Sequence, residues 1–412
     1  MYAEGDEVSR ASNPISILHF TNSVARGGVE EHILQILSGL DPRRFVQSWA
    51  CSPETARLVR ADVPQGVELI PIRFRKPSHV GGGLSLAKIF KAKRVDILHS
   101  HLFYSSLFAS PIGKLCRVPV IIETPHVRES WRTSSLKSGF LVDRMAGWCV
   151  DRYIAVSQAN ADYLIQEKQL PARKIAVIRN GCDLNRFETA PAKPEWRESL
   201  GFGSSDPVLL VVARLAPQKG HANLIAGLPA IRQRFPNVRL VCVGDGESRQ
   251  DLETLVERLS LADAVRFVGH QSNVGEWFAG ADVTVLPSLY EGLPLVAIES
   301  LAAGCPVVAT AVDGTPEVVL HGKTGFCVPA GNTEALVTAI CDLLAHPELR
   351  AEFSRAGQSW VREAFTKERQ LRETEELYCS LWEQSLAGRN GLSRLSPYSD
   401  PAEAGKTASR IV

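Results

Sequence analysis

Short runs dense in Val, Ile and Leu recur between residues 15 and 328, and helical patterns separate most of them. No other feature narrows the fold so far. In the first series the runs are Ile15–Phe20, Val46–Cys51, Val67–Ile72, Val95–His99, Pro119–Thr124, Tyr153–Val156 and Ile175–Ile178. In the second they are Val208–Ala213, Val238–Val243, Val265–Val268, Val283–Pro287, Pro306–Ala309 and Phe326–Val328. Near-continuous apolar composition is what a strand covered on both faces needs, as in a parallel sheet. The intervening segments read as helices; Val29, Ile33, Ile36, Leu37 and Leu40 fall on one helical face. Alternation of this kind predicts right-handed βαβ units and an α/β fold of doubly wound sheets.

The rhythm breaks once. PAKPEWRESLGFGSSDP (191–207) is rich in Pro, Gly and Ser and reads as a linker. The expected organisation is a flexible N-terminus (1–14), a Rossmann-like domain (15–190), the linker (191–207) and a second Rossmann-like domain (208–385). A long charged helical stretch from Pro347 to about Ser385 belongs to the second unit and is expected to cross the junction. Residues 386–412 lack apolar periodicity and are expected to be disordered. A length of 412 residues fits two or three domains. Residues 1–190 hold 25 basic and 18 acidic side chains, the remainder 21 and 27, so the halves carry +7 and −6. That asymmetry predicts different partners for the two units, while the total of +1 gives no case for nucleic acid.

Other classes fall away. No stretch of 18 residues is free of charge, which argues against a transmembrane helix. The start, MYAEGDEVSR, does not follow the secretory-signal pattern. Nine cysteines lie at least 14 residues apart with no C-x-x-C, so reduced thiols in a cytoplasmic protein fit better than a disulfide or zinc framework.

Ligands of doubly wound sheets bind beyond the carboxyl ends of the strands. The first strand runs into Gly27–Gly28 just before a helix, where bare backbone can approach a phosphate. A tight turn without a ligand would use glycine equally well. VVARLAPQKG (211–220) places Arg214 and Lys219 beyond the next series' first strand. Arg forks two oxygens and Lys adds a compact charge, as a diphosphate requires, although both also suit a solvated loop. VTVLPSLYEGLPLVAIESLAAGCP (283–306) is the strongest local signal. Pro294 is expected in the first helical turn, leaving the N–H groups of Gly292 and Leu293 free at the positive helix end. Glu299, about one and a half turns on, suits the vicinal hydroxyls of a ribose, and Glu291 suits sugar hydroxyls. The plain alternative is a dipole-stabilising Glu and a structural ion pair.

EGLPLVAIE (291–299) resembles the donor-site signature of family 4 of the retaining glycosyltransferases. ARGGVE (25–30), DILHSH (96–101), TPH (124–126), AVS (155–157), IRNGCDLNRF (178–187), ARLAPQKG (213–220), VGDG (243–246), RFVGH (266–270) and GTPEVV (314–319) resemble further family segments in the family's order. The resemblance implies the GT-B fold, two facing Rossmann-like domains with the acceptor mainly on the first and the nucleotide-sugar donor mainly on the second. It places Arg214 and Lys219 on the diphosphate, Glu299 on the ribose, and Glu291 with the Gly292–Leu293 backbone on the transferred sugar. Gly27 and Gly28 would approach the phosphate from the first domain. His126 would lie near the anomeric centre or a sugar hydroxyl, and Val268–Gly269 beside the base. Arg179 stands where the family has proline, and Glu123–Thr124–Pro125 is an unusual lead into His126.

The expected function is therefore retaining transfer of a hexose from a nucleotide diphosphate sugar, UDP-linked by preference, to a glycan or lipid-linked acceptor in cell-envelope or exopolysaccharide synthesis. No cofactor and no metal is expected, and no Asp-x-Asp pair is present. A UDP-sugar epimerase on the same fold and a non-catalytic sugar-nucleotide-binding subunit are the alternatives. A nicotinamide enzyme is disfavoured, because Arg249 replaces the third glycine after Gly244-x-Gly246. Gly322–Lys323–Thr324 lacks the earlier glycine of a P-loop. His99 and His101 share a strand face, with a packing or acceptor-side role expected over a metal. Arg73, Arg75, Lys76, Lys88, Lys91, Lys93 and Arg94, with no acid among them, suggest contact with an anionic membrane at its cytoplasmic face, or a solvated helix.

Overall fold

The computed structural model describes residues 13–24, 26–74, 79–129, 139–188 and 195–389. The apolar runs become two wholly parallel sheets. In the first lobe β1 (Ile15–Phe20), β2 (Phe45–Cys51), β3 (Glu68–Pro71), β4 (Ile97–His101), β5 (Val120–Thr124), β6 (Arg152–Ala155) and β7 (Ile175–Val177) pair in the order β3-β2-β1-β4-β5-β6-β7. In the second lobe β8 (Val208–Val212), β9 (Arg239–Val243), β10 (Val265–Gly269), β11 (Val283–Leu286), β12 (Val307–Thr310) and β13 (Gly325–Val328) pair as β10-β9-β8-β11-β12-β13. Strand order reverses beside the first strand of each lobe, between β1 and β4 and between β8 and β11. Crevices open beyond the strand ends at such points.

Both faces of each sheet are covered, as the apolar runs demanded. In the second lobe Leu209, Val211, Leu240 and Val285 pack to one side, and Leu210, Val241, Ile298 and Val307 to the other. In the first lobe Leu18, Leu98 and Ile121 face one core, while Ile17, Ile97 and Ile122 face another. That second core is closed by Leu377, Tyr378 and Leu381 from the far end of the chain.

Three expectations change in detail. The stretch after Pro347 is two helices, Pro347–Ala364 and Lys367–Arg389. The break arises because Phe365 turns into the second lobe's core and its carbonyl accepts from Cys182 N–H at 2.8 Å. Lys367 N–H then donates back to Cys182 O at 3.0 Å, so the two passages of chain between the lobes lie paired side by side. Gly181 permits the approach, since a Cβ there would sit 2.2 Å from Thr366 O. The last helix also runs past Ser385 to Arg389, into the span expected to be disordered; 390–412 lie outside the described residues, as do 1–12 of the expected N-terminus. Part of the expected linker is ordered. Trp196–Ser199 is helical and Trp196 stacks on Trp277 with ring centroids 4.7 Å apart, while 189–194 fall outside the description.

Candidate active site

The expected site residues lie at or beyond the carboxyl ends of strands, and Gly28, Gly292 and His126 lie where the lobes touch. In the second lobe, the loop after β8 holds Arg214 and Lys219. It is pressed against its neighbours by glycines. A Cβ on Gly220 would lie 1.9 Å from Pro287 O, and one on Gly244 would lie 2.0 Å from Ala213 O. Both glycines have positive φ, 66° and 131°, which L-residues with side chains rarely adopt. Gly244 N–H in turn donates to Gly269 O at 2.8 Å, which ties the Val268–Gly269 end of β10 to the same edge.

Lys219 Nζ lies 2.6 Å from Glu291 Oε1, and Ser288 Oγ donates to the same oxygen at 2.7 Å. Glu291 is buried, so this pair is worth more than a surface ion pair. Its backbone N–H donates to Asp313 Oδ2 at 2.7 Å. Burial raises the Asp313 carboxyl above its ordinary value, with that hydrogen bond and Arg128 opposing. Arg214 is exposed and makes no ion pair among the described residues, so its guanidinium is available to an anion.

Pro294 caps the following helix, Leu295–Ala302, in an extended conformation (φ −75°, ψ 101°) instead of sitting in its first turn. The difference changes little for ligand binding. Among the described residues no acceptor takes the N–H of Gly292 or Leu293. Glu299 on this helix is half-buried, and desolvation raises its carboxyl to about 7, against a lowering by Arg186 and a small push upward from Glu31.

The lobes meet at Gly292. A Cβ on Gly292 would lie 1.8 Å from His126 O, and one on Gly28 would touch Leu295 Cδ1 at 3.9 Å. Gly27 caps the helix Gly28–Gly39, its N–H held by Glu30 Oε2 at 3.0 Å. Gly314 N–H donates to Gly292 O at 3.0 Å, and Ser157 Oγ approaches that oxygen at 3.4 Å. Arg179, the departure from the family's proline, donates to Glu317 Oε2 at 2.9 Å, while Glu317 Oε1 takes Ala159 N–H at 3.0 Å. One carboxylate of the second lobe thus grips two points of the first.

Behind His126 lies what sequence reasoning missed. His19, His32, His99, His101 and His126 are all buried together. Nitrogens of His19, His99 and His101, and those of His32, His101 and His126, lie within 4.8 Å of one another. Both His99 nitrogens already have hydroxyl partners, Tyr378 at 2.5 Å and Thr124 at 2.7 Å. Burial lowers His19 to about 3 and His32 to about 4, and holds His99, His101 and His126 well below the ordinary range, so all five rings are neutral at pH 7. The missing signal is topological: the rings converge only because β1 lies beside β4, and β4 beside β5. The loop carrying His126 is pinned from below. Lys168, 2% exposed, sits 2.9 Å from Asp143 Oδ1 and 3.3 Å from Glu129 Oε2. Burial pushes nearby Glu123 up to about 8, with Lys168 opposing.

Two facing Rossmann-like lobes that meet at this junction make up the GT-B architecture. The family model described as "Glycosyl transferases group 1" matches residues 192–360, and "Glycosyltransferase Family 4" matches 26–186. The chain is 32% identical over 319 residues to alpha-maltose-1-phosphate synthase of Mycolicibacterium smegmatis, covering 71% of this chain and 81% of that protein. It is 28% identical over 264 residues to the UDP-Gal:alpha-D-GlcNAc-diphosphoundecaprenol alpha-1,3-galactosyltransferase of Escherichia coli, covering 62% of this chain and 68% of that one. Among solved structures, Anabaena Alr3699/HepE in complex with UDP superimposes with a TM-score of 0.77 at 24% identity, over 89% of this chain and 100% of that one. The chain belongs to family 4 of the glycosyltransferases, the glycosyl transferases group 1, and is an enzyme of that class.

Proposed function

We propose that this enzyme moves a hexose from a UDP-linked donor to a glycan or lipid-linked acceptor with retention at the anomeric carbon and without a metal ion, in cell-envelope or exopolysaccharide synthesis. The observation that carries the reading is the contact series Lys219–Glu291–Gly292–His126, which runs from one lobe to the other, with Arg214 exposed on the same loop as Lys219. The second lobe (208–385) would hold the donor and the first (15–190) the acceptor. The UDP bound by the Anabaena protein and the UDP-galactose donor of the Escherichia coli enzyme support a uridine donor.

As the sugar–phosphate bond breaks, negative charge grows on the diphosphate. Arg214, Lys219 and the N–H groups of Gly292 and Leu293 are the groups that would meet it. Glu291, tied to Lys219 and Ser288, is a hydrogen-bonding group for sugar hydroxyls more than a free nucleophile. Front-face displacement is the route this arrangement favours. A thermal-shift series with UDP-, GDP- and ADP-sugars tests the donor, since a ligand bound to the folded state raises its melting temperature by mass action. The UDP-sugar should give the largest shift; a larger GDP-sugar shift would overturn the base assignment. With radiolabelled donor, label should pass to the acceptor, whereas label confined to a second nucleotide sugar would mean epimerisation.

Glu299 gives a pH signature. Its carboxylate, the form that accepts two ribose hydroxyls, becomes populated only as pH rises through about 7. UDP affinity should therefore tighten about tenfold from pH 6 to pH 8. Stability of the free enzyme runs the other way. A carboxyl raised from 4.5 to about 7 on folding contributes fully below 4.5, and the contribution is lost as pH rises through about 7. Calorimetric titration and melting curves for Glu299→Gln should show both dependences flattened; persistence of the affinity trend in that variant would remove Glu299 from the ribose.

No described helix is long and apolar enough to cross a membrane. The helix Val80–Ala92 exposes Val80, Leu84, Lys88 and Lys91, with Arg73 and Arg94 exposed at its flanks; Arg75 and Lys76 lie outside the described residues. Lys93 is paired with Glu68. We propose that this face meets anionic lipid, each free cation adding up to about 1 kcal/mol. Co-sedimentation should show salt-sensitive binding to phosphatidylglycerol vesicles and little to phosphatidylcholine; equal binding to both would sink the idea.

A further inference from the structure

Two amides anchored on backbone set the direction of hydrogen bonds around the buried rings. Gln35 Nε2 donates to Gly181 O at 3.2 Å and to Gln370 Oε1 at 2.7 Å, and Gly181 N–H donates to that same Oε1 at 2.5 Å. Gln370 therefore presents Nε2, which donates to His32 Nδ1 at 3.0 Å. A neutral imidazole has one proton, so His32 carries its own on Nε2.

The same reasoning runs from Gln47. Its Nε2 donates to Leu37 O at 3.1 Å, which leaves Oε1 as the atom available to interact with His19. Gln47 Oε1 and His19 Nε2 are both buried, and neither has a partner at ordinary hydrogen-bond distance among the described residues. A buried oxygen acceptor needs a donor, so Nε2 of His19 holds the proton and Nδ1 is the lone pair. His19 Nδ1 lies 3.2 Å from His101 Nε2, which must then be the donor. His101 Nδ1, now the acceptor, lies 3.2 Å from His126 Nε2. Each successive pair of rings is inclined by only 25°, which suits N–H···N bonds in line. The opposite polarity would leave two lone pairs facing each other at Gln47.

We propose that Gln47, His19 and His101 are positioning residues which hold His126 as its Nε2–H tautomer, so that His126 Nδ1 acts as an obligate hydrogen-bond acceptor for a sugar hydroxyl and does not donate to phosphate. The proposal deepens the reading of His126 as a sugar-facing group and rests on it. It makes this ring a specificity element: a hydroxyl satisfies it, and a methyl ether or a deoxy sugar does not. A site built to pair with a hydroxyl discriminates strongly against its absence, because the buried partner is left unpaired.

The test is nitrogen-15 NMR of the imidazoles in the full-length enzyme, assigned by single substitutions. At neutral pH, His19, His32, His101 and His126 should all show the neutral Nε2–H pattern. In Gln47→Met, which removes the terminal acceptor, His19, His101 and His126 should become mixtures of tautomers. An Nδ1–H or cationic His126 in the parent, or unmoved tautomers in Gln47→Met, would overturn the array whatever the kinetics show. Turnover separates the other half. Asn at 101 can offer an oxygen where Nδ1 stands, so His101→Asn should stay within about threefold of the parent kcat, while His101→Leu should lose on the order of 100-fold with donor KM little changed. Equal kcat for the two variants and the parent, with the tautomer pattern intact, would leave the array standing and defeat the sugar-facing reading.

Discussion

Replacing Lys219 by methionine is expected to lower kcat on the order of 100–1,000-fold, with the fold retained. Two losses combine. The departing diphosphate loses a fixed positive charge, and Glu291, buried against Lys219 at 2.6 Å, keeps Ser288 Oγ as its one side-chain partner among the described residues. An unpaired buried carboxylate either takes up a proton or turns away, and neither state presents the same hydrogen-bonding edge to a sugar. Arginine should restore activity poorly, since its planar fork cannot occupy the ammonium's place beside a single oxygen. Initial rates with labelled donor, beside a circular-dichroism melt, check this. A kcat within threefold of the parent would remove Lys219 from the leaving-group site.

Lys168→Met should give the largest loss of stability, about 3–5 kcal/mol. The ammonium lies between Asp143 and Glu129 in a site closed to water, so methionine takes away the buried positive charge that both carboxylates share. Guanidinium unfolding should show the transition of the first lobe shifted to lower denaturant. The deficit should shrink as the pH falls and the two acids take up protons. Glu129 lies three residues beyond His126, so the loop that carries the ring should loosen with it. A variant as stable as the parent would mean that the three charges are not mutually dependent.

The thirteen described strands were legible because most carry a short apolar run, several of them near-continuous Val, Ile and Leu, as a sheet covered on both faces requires. Their boundaries shift by a residue or two, and one shift matters: β4 extends to His101 and so places that ring in the sheet. The glycine-bearing turns and the basic loop after β8 were legible for a similar local reason, since close backbone approach and phosphate affinity are written in single residues. What was not legible depends on contacts distant in sequence. The segment Glu363–Lys367 contains no glycine or proline, and the helix breaks there because Cys182 offers a pairing edge. Asp313, with φ of 42°, supports Glu291 from a loop 22 residues away, and only the Asp–Gly pair it begins hinted at a tight turn. Arg179 read as a departure from a family pattern, and its meaning came from Glu317 in the opposite lobe. The five histidines span residues 19 to 126 and were seen in sequence as one pair and one isolated ring.

The two passages of chain between the lobes, bonded to each other at Cys182 and Phe365–Lys367, act mechanically as one pin. Two separate tethers would let the halves slide or twist independently. A single fused axle leaves them chiefly one freedom, a swing about the line through residues 181–182 and 365–367. Because Gly292 and His126 sit at the meeting faces, such a swing would part the cationic and imidazole halves of the pocket in one movement and reunite them in register.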